Sequence, residues 1–295
     1  MIFSPDDAFD KLQRASTLNP QVDSATQTLI TALNIASTQS VEAEKRVTIG
    51  RALGLVQEWD LAKLAFEKAI ELDNQNAEAW AWLGETKQQL GQDGSVELNQ
   101  ALELKRTSAT VRALRALYWN RQEKYSQMLA EYLLASEYEP NNPAWKVGIG
   151  EAHTKLGDLI SALTAYQQAT ELAPDDATYW RLLAVFCAEN QIYIEEIGLP
   201  AIQEAIRLSP NDVTVLDGLG FVYFASGRYA NAENNFLAAI ELEPDYFPAH
   251  LHLALNYLAQ DKRNDAYNTL MYIRDADTSG IYRASAQDLL NRYFP

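Results

Sequence analysis

Residues 213–246 read VTVLDGLGFVYFASGRYANAENNFLAAIELEPDY, and the spacing of small and bulky residues within them decides the fold. Gly220 follows Leu219 in a segment whose apolar residues recur every three or four positions, the period of one helix face. Phe236 and Ala239 belong to a second such segment, which Pro244 closes. The arrangement returns along the chain: segments beginning at Ala43, Ala77, Ala109, Pro143, Ala177, Val213 and Phe247 start 34, 32, 34, 34, 36 and 34 residues apart. Their eighth residues are Gly50, Gly84, Ala116, Gly150, Ala184, Gly220 and Ala254, all small. Their seventh are Ile49, Leu83, Arg115, Ile149, Leu183, Leu219 and Leu253, apolar in all but the third. A two-residue deletion in the second segment and a two-residue insertion in the fifth bring Phe66, Leu98, Tyr132, Tyr166, Ile202, Phe236 and Leu270 together at position 24. Ala69, Ala101, Ala135, Ala169, Ala205, Ala239 and Ile273 then share position 27, and Pro140, Pro174, Pro210 and Pro244 close four of the units.

Two helices that cross closely need a side chain no larger than a methyl group where they touch, with bulky residues on either side. Positions 4, 7, 8 and 11 share one face of a first helix, and positions 20, 24 and 27 share one face of a second. Proline cannot continue a helix, so it marks the boundary between units.

These residues resemble the tetratricopeptide repeat, whose pattern of Trp, Leu-Gly, Tyr, Ala, Phe, Ala and Pro over 34 positions is met by Trp180 to Pro210 and by Leu216 to Pro244. The resemblance implies an all-α, right-handed superhelical solenoid of antiparallel helix pairs, and a role in holding another protein. One continuous domain is expected. Residues 1–42 carry N-terminal irregular or half-repeat helices. Seven repeats follow within 43–280, as 43–76, 77–108, 109–142, 143–176, 177–212, 213–246 and 247–280. Residues 281–295 form a C-terminal capping helix. Ala8, Leu12, Ala15 and Pro20 give residues 5 to 20 the spacing of an isolated second helix, and another helix runs from about 23 to 36. Tyr282, Ala286, Leu289, Leu290 and Tyr293 form one stripe on the last helix.

Composition agrees with helices: Gly (13) and Pro (10) are scarce in 295 residues, and 47% of the chain is apolar. The formal net charge of -16, from 40 acidic and 24 basic side chains, repels phosphate backbones and argues against nucleic acid as a partner. A protein or peptide, neutral to basic and bearing an apolar segment, suits the chain better. A single cysteine, Cys187, excludes a disulfide within the chain. No apolar run reaches the roughly 18 residues of a membrane span. The start, from Met1 to Asp7, has no basic and apolar leader pattern, which favours a cytoplasmic site; a leader removed beforehand would fit a periplasmic or membrane-tethered one.

The family resemblance implies that the first helices line the inner, concave side, where positions 2, 5, 9 and 12 turn away from the core. In the first four units that face is polar and acidic: Glu44, Glu78, Glu85, Gln88, Asn120, Glu151 and Thr154, with Arg51 as its cation and Trp82 alongside. In the last three it carries Arg181, Val185, Ala188, Asp217, Phe221, Phe224, Leu251, Leu255 and Leu258, with His252 at position 6. Apolar residues at successive turns mark a contact surface. Phe221, Phe224, Leu255 and Leu258 therefore offer a groove for an apolar helix or extended segment, and the acidic half attracts basic residues of the same partner. Two other readings of these four residues stand beside it: internal packing beneath a C-terminal helix folded back, and a homodimer seam. Chaperone-tail binders of this family hold a C-terminal carboxylate with Lys, Arg and Asn; positions 5 and 9 here have no Asn or Lys, and glutamates hold two of the position 9 sites.

The function expected is that of a scaffold or adaptor, not an enzyme, with no cofactor or metal. Alternatives are a docking or regulatory arm of a multi-component enzyme or assembly machine, and a structural homo-oligomer. The three histidines have repeat addresses. His153 stands at position 11, where other units place Trp119, Cys187, Tyr223 and Tyr257, and His250 at position 4, where Trp80 and Trp180 fall. Both read as packing residues, and His250 and His252 point to different faces, a poor metal pair. Cys187 reads as a buried structural thiol. Gly148-Ile149-Gly150 lies inside a helix and is no phosphate loop.

Overall fold

The computed structural model describes residues 24–277 and 280–295; the helix expected over 5 to 20 lies outside them. All regular structure among the described residues is helical. The chain divides into two compact units, Met1–Pro140 and Asn141–Pro295. The first contains α1 (Ser24–Thr38), α2 (Glu42–Leu55), α3 (Trp59–Leu72), α4 (Ala77–Gln89), α5 (Ser95–Leu104), α6 (Ala109–Arg121) and α7 (Tyr125–Tyr138). The second contains α8 (Pro143–Lys155), α9 (Leu159–Leu172), α10 (Ala177–Glu189), a five-residue π turn (Ile194–Gly198), α11 (Leu199–Leu208), α12 (Val213–Ala225), α13 (Tyr229–Leu242), α14 (Phe247–Ala259), α15 (Arg263–Ala276) and α16 (Ile281–Tyr293).

Within each unit, helices pack as hairpins (α2 on α3, α8 on α9, and onward), and each hairpin stacks on the one before. The crossing inside a hairpin is set by position 8. A Cβ on Gly50 would stand 2.7 Å from the Phe66 ring, one on Gly150 2.8 Å from Tyr166, and one on Gly220 2.5 Å from Phe236. At Ala184 and Ala254 the residue at position 24 is the slimmer Ile202 or Leu270, and all four are fully buried; in the third repeat Ala116 stands with the larger Tyr132, which keeps 6% of its surface exposed. Burying such a large apolar side chain contributes about 1.5–3 kcal/mol. The two-residue deletion shortens α5 to 10 residues and brings Gly94 so close to Gly84 that a Cβ there would overlap the Gly84 carbonyl. The insertion in the fifth repeat is absorbed by the π turn that precedes α11.

The hairpin turn is uniform. Gln57, Gly91, Glu123, Gly157, Gln191, Gly227 and Asp261, all at position 15, adopt the left-handed conformation. The next residue's N–H then donates to the carbonyl five residues back, as from Glu58 to Leu53, Asp158 to His153 and Lys262 to Tyr257. Five of the seven first helices begin with a polar cap: Asn76, Ser108, Asn142, Asp176 and Asp212 accept from backbone N–H groups of the first turn, whereas Val41 and Tyr246 precede the other two. The position 4 rings tie back to the preceding connection. Trp80 Nε1 donates to the Asn74 carbonyl, Trp180 Nε1 to Pro174, and His250 Nε2 lies 2.8 Å from the Pro244 oxygen. His250 thus performs the tryptophan's task, and burial lowers its pKa.

At the C-terminus α16 packs on α14 and α15, burying Ala286 and Leu290 and partly burying Tyr282 and Leu289. Tyr293, expected on the same stripe, is exposed. Asp277 caps this helix, accepting from the N–H groups of Tyr282 and Arg283 at 2.8 and 2.9 Å.

Candidate binding surface

In Met1–Pro140, the chain itself engages most of the residues expected to meet a partner. The Trp82 ring stacks on Phe66 at 6.3 Å, Arg51 lies over it at 5.3 Å, and its Nε1 is buried with no hydrogen-bond partner among the described residues. Glu85, expected as an open acid, is only 4% exposed. Arg121 of α6 grips it in a fork, Nη1 donating to Oε2 at 2.8 Å and Nη2 to Oε1 at 2.5 Å. Nη1 also lies 3.3 Å from Gln88 Oε1. Arg51 is therefore not the lone cation of this face. A buried carboxylate requires a charged partner, and the neighbouring first helix supplies one. Asn120 is half-buried on α6.

In Asn141–Pro295 the expected residues fall into two groups. The first is built on α10, α12 and α14. Asp217, also buried, bonds to His252 Nδ1 at 2.8 Å. The His252 ring lies 5.0 Å from Phe221, which stacks with Phe224 at 6.3 Å. Phe221, Phe224, Leu255 and Leu258 are all partly buried and none is wide open. Phe221 and Phe224 lean on the core around Phe236 and Leu253. The C-terminal helix instead packs against a core around Ala254 and Leu270 that includes Leu251. The Arg181 stem passes over Gly218, whose Cβ would stand 3.0 Å from its Cγ, and the Arg181 Nε is buried without a hydrogen-bond partner among the described residues. Tyr246 joins this group from the loop before α14. Burial, and then the Asp217 charge, push its phenol up to about 12.

The second group is acidic. Glu151 on α8 is exposed at its tip, yet the protein around it withholds enough water to raise its pKa; Lys155 partly offsets this and Glu189 of α10 adds to it. Tyr166 on α9 is 7% exposed, and burial followed by the charges of Glu151 and Glu189 raises its pKa far above that of an ordinary phenol. Sequence reasoning passed over Arg121, Glu189, Tyr166 and Tyr246. The first two share position 13, just beyond the helical positions assigned to the inner face, and that shared address was a signal available beforehand.

Cys187 is buried and its thiol is pushed up to about 11 by burial, which removes thiolate at neutral pH. His153 is partly exposed, 3.5 Å from the Asp158 carboxylate.

Family models of the tetratricopeptide repeat match residues 124–185 and 213–246. Over 219 residues the chain is 26% identical to the BBSome complex member BBS4 homolog of Drosophila melanogaster, covering 72% of this chain and 44% of that protein. It is 28% identical over 186 residues to the peroxisomal targeting signal receptor of Komagataella phaffii, covering 62% of this chain and 27% of the receptor. The chain thus spans less than half the length of these curated relatives. Among solved structures, yeast Tom70 superposes with a TM-score of 0.66 at 14% identity, covering 92% of this chain and 64% of that one. A tetratricopeptide repeat protein from Parabacteroides merdae superposes with a TM-score of 0.62 at 14% identity, covering 83% of this chain and 98% of that one. At such identities these structures speak to the fold alone.

Proposed function

Because this chain is a tetratricopeptide-repeat protein, we propose that it works as an interaction scaffold, holding an apolar helix or extended segment of a neutral to basic partner against Phe221, Phe224, Leu255 and Leu258. The observation that carries this reading is that four large apolar side chains on α12 and α14 keep part of their surface open although the cores beneath them are complete. His252 and Leu255 stand three residues apart on α14 and so share a face, which joins the Phe221 patch to the leucines. The relatives support the coarser part of the reading, since their names describe complex subunits and a targeting-signal receptor. A docking arm within a larger assembly is the second reading, favoured by the several relatives named as subunits of complexes. The test is retention of a partner from native extract by the wild-type chain and by a Phe221→Ala, Phe224→Ala variant of unchanged helicity. Retention by the variant falls at least about tenfold if these rings anchor the partner. Equal retention refutes the groove, and a mass by light scattering that rises with concentration assigns the same face to a second copy of the chain.

A further inference from the structure

Position 5 of one repeat pairs with position 6 of the next across neighbouring first helices. In Met1–Pro140 the pairs are Val47 with Trp82 and Ala81 with Leu114, each pair sharing one apolar core. In Asn141–Pro295, Val147 and Leu182 share a core in the same way. The last pair is polar, Asp217 of α12 bonding to His252 of α14 at 2.8 Å. The fifth repeat departs from this rule: Arg181 of α10 has Gly218 of α12 as its counterpart. The address that gives Asp217 a bonded ring gives Arg181 a glycine, with no side chain to answer its charge.

The geometry around Arg181 is a second, independent observation. A Cβ on Gly218 would stand 3.0 Å from Arg181 Cγ and 3.4 Å from Cδ, so the arginine stem lies against the bare helix turn. Its Nε is buried without a hydrogen-bond partner, while the two Nη groups reach the surface and form no hydrogen bond or ion pair among the described residues. Asp217 does not neutralise it, because that carboxylate is buried and its Oδ1 is taken by His252. A cation with a desolvated stem and an unpaired fork is costly until a carboxylate completes it. Of the residues at positions 2, 5, 9 and 12 on α10, α12 and α14, Arg181 and Asp217 alone are charged. With Asp217 engaged, the face keeps one unmatched positive charge in a chain whose net charge is -16. Gly218 and Phe221 lie about one turn apart on α12, so the arginine crosses that helix beside the Phe221 patch.

We infer that Arg181 is the docking point for an acidic side chain carried by the partner's apolar segment, next to the residue that sits on Phe221. The two Nη groups donate to the two carboxylate oxygens, a fork of the kind that Arg121 makes with Glu85 inside this protein. The carboxylate belongs to a side chain, since the Lys and Asn with which chaperone-tail binders hold a chain end are absent from positions 5 and 9. The pairing also sets the direction in which the segment lies, because an apolar patch accepts it either way round and a single charge does not. The inference rests on the scaffold reading and adds to it one acid beside the apolar anchor, whatever charge the partner bears elsewhere.

The test uses the full chain and three short labelled peptides of leucine, alanine and serine, acetylated and amidated. One has glutamate near its N-terminus, one has glutamate near its C-terminus, and one has glutamine at both places. Fluorescence anisotropy gives the affinities for the wild type, for Arg181→Met, which keeps a stem on Gly218 and removes the charge, and for Phe221→Ala. The wild type should bind one of the glutamate peptides about tenfold more tightly than the glutamine peptide, as a charge-assisted fork requires. Arg181→Met should bind those two alike, while Phe221→Ala weakens both and keeps the preference. Equal affinities for all three peptides in the wild type, or a preference that survives in Arg181→Met, overturns the carboxylate site. The apolar groove is then judged separately by the loss in Phe221→Ala. No binding of any of the peptides by the wild type overturns both readings for segments of this kind.

Discussion

Replacing Gly220 by alanine tests the steric rule on which the hairpins depend, since two known effects oppose each other at that position. The added Cβ would stand 2.5 Å from Phe236 Cε1 and 2.6 Å from Cδ1, where carbon contacts settle near 3.5–4 Å, so the ring must retreat by about 1 Å. Phe236 is fully buried and has nowhere free to go. Overpacking of this kind costs about 1–3 kcal/mol, whereas alanine in a helix interior gains only about 0.5–1 kcal/mol over glycine. The clash wins, and Gly220→Ala should lose about 1–2 kcal/mol. Phe236→Leu reproduces the pairing of Ala254 with Leu270 found elsewhere in the chain, so the double variant should recover at least about 1 kcal/mol relative to the sum of the single changes. Urea titration followed by far-ultraviolet circular dichroism and by tryptophan fluorescence gives the four stabilities; two probes are needed because repeat arrays can unfold in parts. If Gly220→Ala raises the urea midpoint, or if the four values simply add, position 8 does not govern the crossing and the account of the fold is wrong.

Two further outcomes follow from local geometry. Gly157 has φ +79° and a Cβ placed on it would meet nothing within 4 Å, so Gly157→Ala isolates backbone strain and should lose about 1 kcal/mol, while Glu123→Gly, at φ 56° on an exposed side chain, should cost nothing or gain about 0.5 kcal/mol; urea midpoints moving the other way would refute the left-handed turn. Burial lowers the His250 pKa, so the unfolded chain takes up a proton at a higher pH than the folded one. Its stability contribution is complete above the unfolded value of about 6.5 and is lost as pH falls below it. Thermal melts should therefore show part of the acid sensitivity below about pH 6.5 disappear in His250→Gln, and unchanged sensitivity would count against a buried neutral imidazole.

What the sequence reveals of the fold follows from where the constraint lies. The close approach of Gly50 to Phe66, or of Gly220 to Phe236, is settled between two helices of one repeat, so residue size alone records it. The left-handed residue at position 15 is recorded only where glycine occupies it, as at Gly91, Gly157 and Gly227. Gln57, Glu123, Gln191 and Asp261 adopt the same conformation because the hydrogen bond from position 16 to position 11 imposes it, whatever the side chain.

The candidate surface is less legible because its boundary is drawn by neighbouring repeats. A helical wheel turns positions 5 and 9 away from their own hairpin's core, but the next first helix covers Glu85 and the His252 ring meets Asp217, so both carboxylates are buried and bonded. Charge composition misleads in the same way. The acids of this chain are not equivalent: Glu85 is neutralised by Arg121, Glu131 by Arg112 and Arg115, and Glu233 by Lys262. A satisfied acid has little left to offer a basic partner. What remains for a cation are exposed acids such as Glu151 and Glu189, which form no ion pair among the described residues, and the difference between them and Glu85 becomes visible only when the neighbouring first helix is in place.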